Sequence, residues 1–233
     1  GQNWYQLAVP SGKANISLSQ NELQQLMICR DFFQHLLPVT FRNDLENAVS
    51  KAAFLADSTS PPLCEPAAAA AIRGKIDYEP FDEILRVVVT AQTRLQVLEI
   101  WYQSRANPEG RLHCFVPVRM VSFHDGLYVR GWTVNDKGTV EINRPMTLAV
   151  HRMKSITATR RYLDKDVHLK GKFPEENWYF GMARQGEPFE VVVRFFPPAC
   201  SYVRERQWSK NQNFEEEQDG SVLLTLTAHS EYE

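Results

Sequence analysis

Apolar residues in the middle of the chain fall in short runs separated by tight turns, which is the pattern of a β meander. Strands are predicted at 98–102, 112–117, 120–123, 127–134, 139–143 and 146–150. Between two of them stands His124-Asp125-Gly126, and Asp-Gly favours a hairpin because both turn positions of a tight hairpin have positive φ. Five or six short strands joined in this way predict one small barrel that closes on itself.

The N-terminal third has helical periodicity instead. Ser19 and Glu22 have the spacing of a capping box, with Leu18 and Leu23 placed as a hydrophobic staple around it. Apolar stripes predict helices over 19–37, over 43–52 and from Pro80 onward. The short extended run 4–9 before them is expected to be the last strand of an element whose beginning is missing. Because helices this short bury one face each, they must pack on one another, on a sheet or on a partner chain.

The last segment alternates between types. The pattern predicts a helix at 175–182, a strand at 189–195, a helix at 198–206 and a hairpin formed by 214–217 and 222–227. A β-α-β-β order is typical of an open α+β sandwich. The prediction is therefore an α+β chain with three regions: a helical linker and dimerisation region at 1–96, a small β-barrel at 97–160, and a truncated C-terminal extension at 161–233.

Charge distinguishes the middle segment from its flanks. The 233-residue chain has a net charge of −2, yet residues 97–172 hold 13 Lys and Arg against 7 Asp and Glu. A basic β module between acidic flanks indicates a surface suited to anions. The hydrophobic content of 43% is ordinary for a soluble globular protein.

Composition and motifs exclude several classes of protein. The four cysteines stand far apart, which predicts buried thiols in a reducing compartment and no metal site. No apolar run approaches the roughly 18 residues of a membrane helix and no signal peptide is present, so a cytoplasmic location is expected. The chain begins without Met, as expected of a tag remnant before a fragment. Neither a P-loop, a dinucleotide fingerprint nor a nucleophile elbow occurs, so we expect no cofactor and no enzyme activity.

Several motifs in the middle segment resemble a WYL domain by their order and spacing. They are Ile100-x-Tyr102-x-Ser104, Pro117-Val118-Arg119-Met120-Val121, the run from Asp125 to Trp132, and the run from Met146 to Met153. The last segment is similar to the C-terminal extension of that family. The N-terminal third is similar to the helical linker that follows a winged helix-turn-helix in these regulators.

The chain departs from the family pattern at five positions. Leu127 and Val129 stand where the signature has Trp and Leu, and both can fill a β-barrel core. Cys114 replaces a frequent Arg, Met146 replaces an aromatic residue, and His151 replaces the Asp before the recurrent Arg. The changes at Cys114 and His151 bear on the ligand more than on the fold.

The resemblance implies a ligand-sensing region of a bacterial transcription regulator. Its barrel would be Sm-like (SH3-like), with a nucleotide or single-stranded nucleic acid as effector and a homodimer as the assembly. Duplex DNA would be bound only through the missing N-terminal domain, and no membrane partner is expected. The candidate ligand-binding residues are Tyr102, Ser104, Arg119, Tyr128 and Arg152.

Four of the five candidates have a structural alternative that the sequence leaves open. Tyr102 could face the core, Ser104 could simply begin a turn, and the two arginines Arg119 and Arg152 could pair with acidic residues on the barrel wall. The whole region could also be a protein-interaction or dimerisation module with no small ligand. The sequence does not identify the ligand, the promoter, or whether transcription is activated or repressed.

Overall fold

The computed structural model describes residues 18–55, 66, 68–71, 74–135, 140–163 and 187–229. The chain divides into two compact units, 1–171 and 172–233. The strand predicted at 4–9 and the helix predicted at 175–182 lie outside the described residues. No helix in the described part of the chain is long and apolar enough to cross a membrane.

The described part of the first unit begins with two helices, α1 (Gln20–Phe33) and α2 (Val39–Leu55), with a 3₁₀ turn Gln34–Leu36 between them. The predicted capping box is confirmed: the Glu22 N–H donates to the Ser19 hydroxyl at 3.3 Å, and the Ser19 N–H donates to the Glu22 carboxylate at 2.8 Å. Leu23 and Met27 of α1 pack against Val49 of α2. The helix pair thus has its own small core.

The third helix, α3 (Asp82–Arg94), follows a 3₁₀ turn Glu79–Phe81 and packs on the sheet. Its Leu85, Val88 and Ala91 are at most 1% exposed. They share one core with the inward side chains of the strands, which include Leu98, Ile100, Phe115, Val129, Leu148 and Met153. The helix before residue 96 and the sheet after it therefore belong to one compact unit.

Five antiparallel strands form the sheet in the order β4-β3-β2-β1-β5. Their bounds are β1 Gln96–Tyr102, β2 Arg111–Phe123, β3 Gly126–Val134, β4 Val140–Ala149 and β5 Met153–Tyr162. The strands predicted at 112–117 and 120–123 are one strand, β2, with a register shift between Pro117 and Arg119. The Gln92 side chain of α3 donates to the Val118 carbonyl at 2.9 Å, which gives this carbonyl at the bulge a hydrogen-bond partner. The strand β5 was not predicted.

The β2–β3 hairpin turns at His124 and Asp125, which have φ of 47° and 56°, and Gly126 is already the first residue of β3. The hairpin prediction is confirmed, although the two left-handed positions lie one residue earlier than Asp-Gly. The Asp125 carboxylate lies 3.4 Å from the imidazole Nε2 of His35. This contact joins the hairpin tip to the turn between α1 and α2.

The predicted barrel closure is not observed. In the described residues β4 and β5 are the two outer strands of the sheet and do not pair with each other. The chain leaves β4 through a 3₁₀ turn, Val150–Arg152, and returns to the far side of β1. Because α3 covers the apolar face, that face is buried without closure. The α+β class is confirmed.

The second unit has a three-stranded antiparallel sheet in the order β6-β8-β7 and one described helix. Its elements are β6 Phe189–Phe195, α4 Pro197–Arg204, β7 Asn213–Glu216 and β8 Val222–Ala228. This agrees with the predicted β-α-β-β order. Val203 of α4 packs on Leu224 and Leu226 of β8, so the helix covers one face of the sheet.

The cysteine prediction is partly wrong. Cys200 is buried and Cys114 half-buried, but Cys29 is exposed. Cys29 follows the buried Met27 by two residues, which on a helix is a rotation of about 200°. It therefore lies on the outer side of α1. Cys64 is outside the described residues.

Candidate functional site

An open groove of about 300 Å³ lies where the end of β1 meets the start of β5. Its walls come from the loop after β1 and from the 3₁₀ turn before β5. The lining residues are Gln103, Ser104, Arg105, Pro108, His151, Arg152 and Lys154. They include two of the five residues that the sequence suggested, Ser104 and Arg152.

Backbone hydrogen bonds hold the two walls together. The Gln103 N–H donates to the Arg152 carbonyl at 3.1 Å, so the loop continues the pairing of β1 with the chain at β5. Ser104 and Asn107 each donate an N–H to the other's carbonyl at 3.2 Å, and the Asn107 N–H also approaches the Ser104 hydroxyl at 3.0 Å. In this arrangement the Ser104 hydroxyl acts as an acceptor within the turn. Its own proton stays available to a ligand.

The groove is positively charged. Arg105, Arg152 and Lys154 line it, and none of the seven lining residues is acidic. Among the described residues the half-buried guanidinium of Arg152 has neither a hydrogen-bond nor an ion-pair partner. Cations that line one groove without a counter-charge repel one another, weakly where they are exposed as Arg105 and Lys154 are, and an anion bound among them relieves that repulsion. Arg and Ser donors can hold phosphate or carboxylate oxygens through charge-assisted hydrogen bonds.

His151 stands beside Arg152 in the 3₁₀ turn and is half-buried. Burial, and secondly the neighbouring charge of Arg152, lower the pKa of His151 below its ordinary value. Its imidazole is therefore neutral in the empty groove at neutral pH. Among the described residues no cluster of His, Cys, Asp and Glu side chains could hold a metal ion.

Two further sequence candidates adjoin the groove without lining it. Tyr102, which is 8% exposed, lies in the core, and its hydroxyl accepts from the Ala149 N–H at 3.2 Å. It thereby fastens the end of β4, just before the 3₁₀ turn, to β1. Tyr128 contacts His151 edge to face, with ring centroids 6.4 Å apart. Both tyrosines support the wall that carries His151 and Arg152.

Arg119 lies elsewhere. It is exposed on β2, directly opposite Arg130 of β3, and does not line the groove. Its neighbour Met120 packs against the core, so alternation along the strand turns Arg119 to the outer face. Thr147 of β4 is next to Arg130 on that face, with Arg130 Nε 3.4 Å from its hydroxyl. The structure does not bring Arg119 together with Arg152.

Sequence reasoning missed the other groove residues, of which Arg105, His151 and Lys154 carry the chemistry. Arg105 follows Ser104 directly, so the turn expected at Ser104 also indicated that Arg105 could lie near the ligand. Lys154 was hidden because β5 was not predicted, although the β-branched residues Ile156, Thr157 and Thr159 favour a strand. His151 was noticed only as a departure from a family pattern.

Comparison with known proteins identifies both units. Residues 83–158 match the WYL domain, and residues 187–233 match the WCX domain. No curated protein matches the chain. Among solved structures, the chain is similar to proteasome accessory factor B/C (PafBC) of Arthrobacter aurescens, with 14% sequence identity and a TM-score of 0.37. The similarity covers 91% of this chain and 30% of that one, so the chain spans about a third of the length of that protein.

Proposed function

The chain carries a WYL domain followed by a WCX domain, and from this premise we propose that it is the ligand-sensing part of a bacterial transcription regulator. Its effector is an anionic nucleotide or single-stranded nucleic acid that binds in the groove between β1 and β5. A DNA-binding domain elsewhere in the regulator responds to that effector. The protein acts in the cytoplasm, where both its effector and its operator would be found.

The observation that carries this proposal is the one-sided charge of the groove. Arg105, Arg152 and Lys154 converge there, and no carboxylate is among the lining residues. An arginine paired on a surface usually has an acidic neighbour, as Arg161 has in Glu99 at 4.0 Å. Arg152 has no such neighbour among the described residues. A groove built this way favours phosphate over a neutral or cationic ligand.

Contacts at the start of β3 offer a route from the groove to the helices. Tyr128 touches His151 in the groove wall, and the N–H of the preceding Leu127 donates to the Tyr78 hydroxyl at 2.6 Å. Asp125, two residues before Leu127, contacts His35 in the turn between α1 and α2. A ligand that shifts His151 would therefore act on β3 first, and β3 and the turn before it contact the helical segment at two points.

Binding of nucleotides and short single-stranded oligonucleotides, measured by calorimetry at several salt concentrations, tests the proposal. Affinity is expected to fall with salt, with a slope of about −0.7 per neutralised phosphate for single strands. Duplex DNA should bind weakly, because the described helices contain no basic recognition helix. Binding that is absent, or insensitive to salt, would reject the anion groove.

A second candidate function is a dimerisation module, and the surface of α1 and the start of α2 favours it. Leu26, Phe32, Phe33 and Val39 are between 45% and 54% exposed there. Exposed apolar clusters of this kind commonly mark protein interfaces. The two candidates are compatible, since a two-fold regulator would join the helices of two copies and bind one effector per copy. Sedimentation of the chain tests the dimer independently of any ligand.

A further inference from the structure

His151 has an unsatisfied atom in the groove wall. Its Nδ1 is buried and has no hydrogen-bond partner among the described residues. Buried polar atoms in native structures are nearly always paired, so an unpaired one calls for a functional explanation. The proposed function uses the cations of the groove and leaves the role of this imidazole open.

Among the described residues, the charged or phenolic groups that line the groove with His151 or pack on its ring are three cations and one tyrosine. Arg105 and Lys154 line the same groove, Arg152 follows His151 in the turn, and Tyr128 packs on its ring from β3. Burial, and secondly Arg152, disfavour a positive charge on the His151 ring while the groove is empty. A phosphate among the cations reverses the sign of the local field, and an opposite charge within about 4–6 Å favours the imidazolium. A phosphate bound in the groove would therefore raise the pKa of His151 and favour uptake of a proton from solvent.

The size of the groove limits what enters it. Its volume of about 300 Å³ lies at the lower end of the range of roughly 300–1,000 Å³ for small-molecule pockets. A space of this size holds one phosphate and its sugar, and the rest of a longer strand would lie outside the open groove. A phosphate at the end of a strand or on a free nucleotide can enter with three of its oxygens exposed. An internal phosphodiester must enter together with the nucleotides attached on both of its sides.

We propose that His151 makes the groove selective for a terminal phosphate monoester over an internal phosphodiester. A phosphate monoester carries a charge of about −1.5 to −2 at neutral pH, and an internal diester carries −1. The additional charge is matched by the proton on His151, and the additional oxygen accepts from its imidazolium. This inference rests on the proposed function, because it assigns a ligand class to the same groove.

The test compares three oligothymidines of identical length: one with a 5′-phosphate, one with a 3′-phosphate and one with neither. Isothermal titration calorimetry on the whole chain should give about tenfold tighter binding of at least one phosphorylated form. In two buffers that differ in ionisation enthalpy, that form should take up close to one proton more than the unphosphorylated form. His151→Gln should reduce the preference to about twofold and abolish the additional proton uptake.

The pH range must separate the imidazole from the ligand. Above about pH 7 the monoester is already doubly charged, because its second pKa is near 6. A preference that declines as the pH rises above about 7 therefore reports on His151 and not on the phosphate.

The outcomes separate this inference from the proposed function. Equal binding of all three oligonucleotides, lost in Arg152→Ala, would overturn the role of His151 and keep the anion groove. No binding by any of them would overturn both. A preference for the phosphate that His151→Gln retains in full would show that the fixed cations alone select it, and the inference would fail.

Discussion

The backbone N–H of Leu127, at the start of β3, donates a 2.6 Å hydrogen bond to the hydroxyl of Tyr78. Tyr78 is 3% exposed and belongs to the segment that leads into α3. A side chain from the helical part of the chain therefore satisfies a buried amide of the sheet. This bond ties the segment that leads into α3 to the first residues of β3.

Tyr78→Phe should lower the free energy of unfolding by about 1–3 kcal/mol, because the Leu127 amide would lose its buried acceptor. Urea unfolding measures the change, provided the slope with denaturant stays the same. Tyr162→Phe is the matched control: Tyr162 is 56% exposed, and its hydroxyl accepts only a 3.4 Å bond from the Gln96 side chain. Equal stability of wild type and Tyr78→Phe would contradict this account of the linkage.

Gly131 should not tolerate a side chain. A Cβ at this position of β3 would lie 2.0 Å from the Val116 carbonyl oxygen and 2.5 Å from the Phe115 ring. Gly131→Ala is expected to cost about 3 kcal/mol through overpacking of the sheet. Gly74→Ala is the control, since nothing lies within 4 Å of its Cβ. Thermal unfolding of both variants tests this prediction. Similar melting temperatures would contradict the close approach of β2 to Gly131.

Stability should fall as the pH drops below about 6.5. Burial, and secondly Arg111, lower the pKa of His113, and the pKa of His151 is lowered in the same direction. The unfolded chain then binds protons that the folded chain does not, so stability is greatest above the ordinary pKa and is lost on acidification toward the lowered values. His113 Nε2 accepts from Arg111 Nε at 3.1 Å, which requires the neutral ring.

The measurement is the urea midpoint between about pH 7.5 and about pH 5.5, a range above the ordinary pKa values of carboxyl groups. His113→Gln keeps an acceptor for Arg111 and should flatten part of the decline. If the midpoint of the wild type does not change over this range, the assignment of the two neutral imidazoles is wrong.

The apolar surface of α1 predicts a homodimer. Phe33→Glu places a charge in that surface and should convert the dimer to a monomer without unfolding the chain, because Phe33 is 54% exposed. Phe196→Glu is the control, with a 63% exposed ring in the second unit. Sedimentation velocity distinguishes the species. A monomeric wild type at high concentration would remove the prediction.

Local signals in the sequence were sufficient for many elements of the fold. The capping box at Ser19, the hairpin turn at His124 and the order of elements in the second unit each depend on residues close in sequence. Closure of a barrel depends on whether the two edge strands of the sheet pair with each other, and no local sequence pattern determines this pairing. The strand β5 was missed because it begins directly after the 3₁₀ turn, without a Gly or Pro to mark its start.

The site could be predicted only in part for the same reason. Ser104 and Arg152 are brought together by pairing of β1 with β5, and a family resemblance supplied both of them. The same resemblance, together with its place on a strand, predicted Arg119 beside them. The face of the sheet on which Arg119 lies is set by the pairing register of β2 with β3, and that register shifts at the bulge at Val118. Alternation read across a bulge assigns side chains to the wrong face.

The central claim is that Arg152 binds an anionic effector in the groove. Calorimetric titration of a short single-stranded oligonucleotide into wild type, Arg152→Ala and Arg160→Ala tests it most directly. Arg160 is an exposed arginine on β5, the strand that follows the turn with Arg152, and does not line the groove, so its loss removes the same charge. Arg152→Ala should weaken binding about tenfold or more, since a charge-assisted contact contributes about 1.5–3 kcal/mol, and Arg160→Ala should change it little. Equal affinities of the two variants would contradict the assignment of the groove.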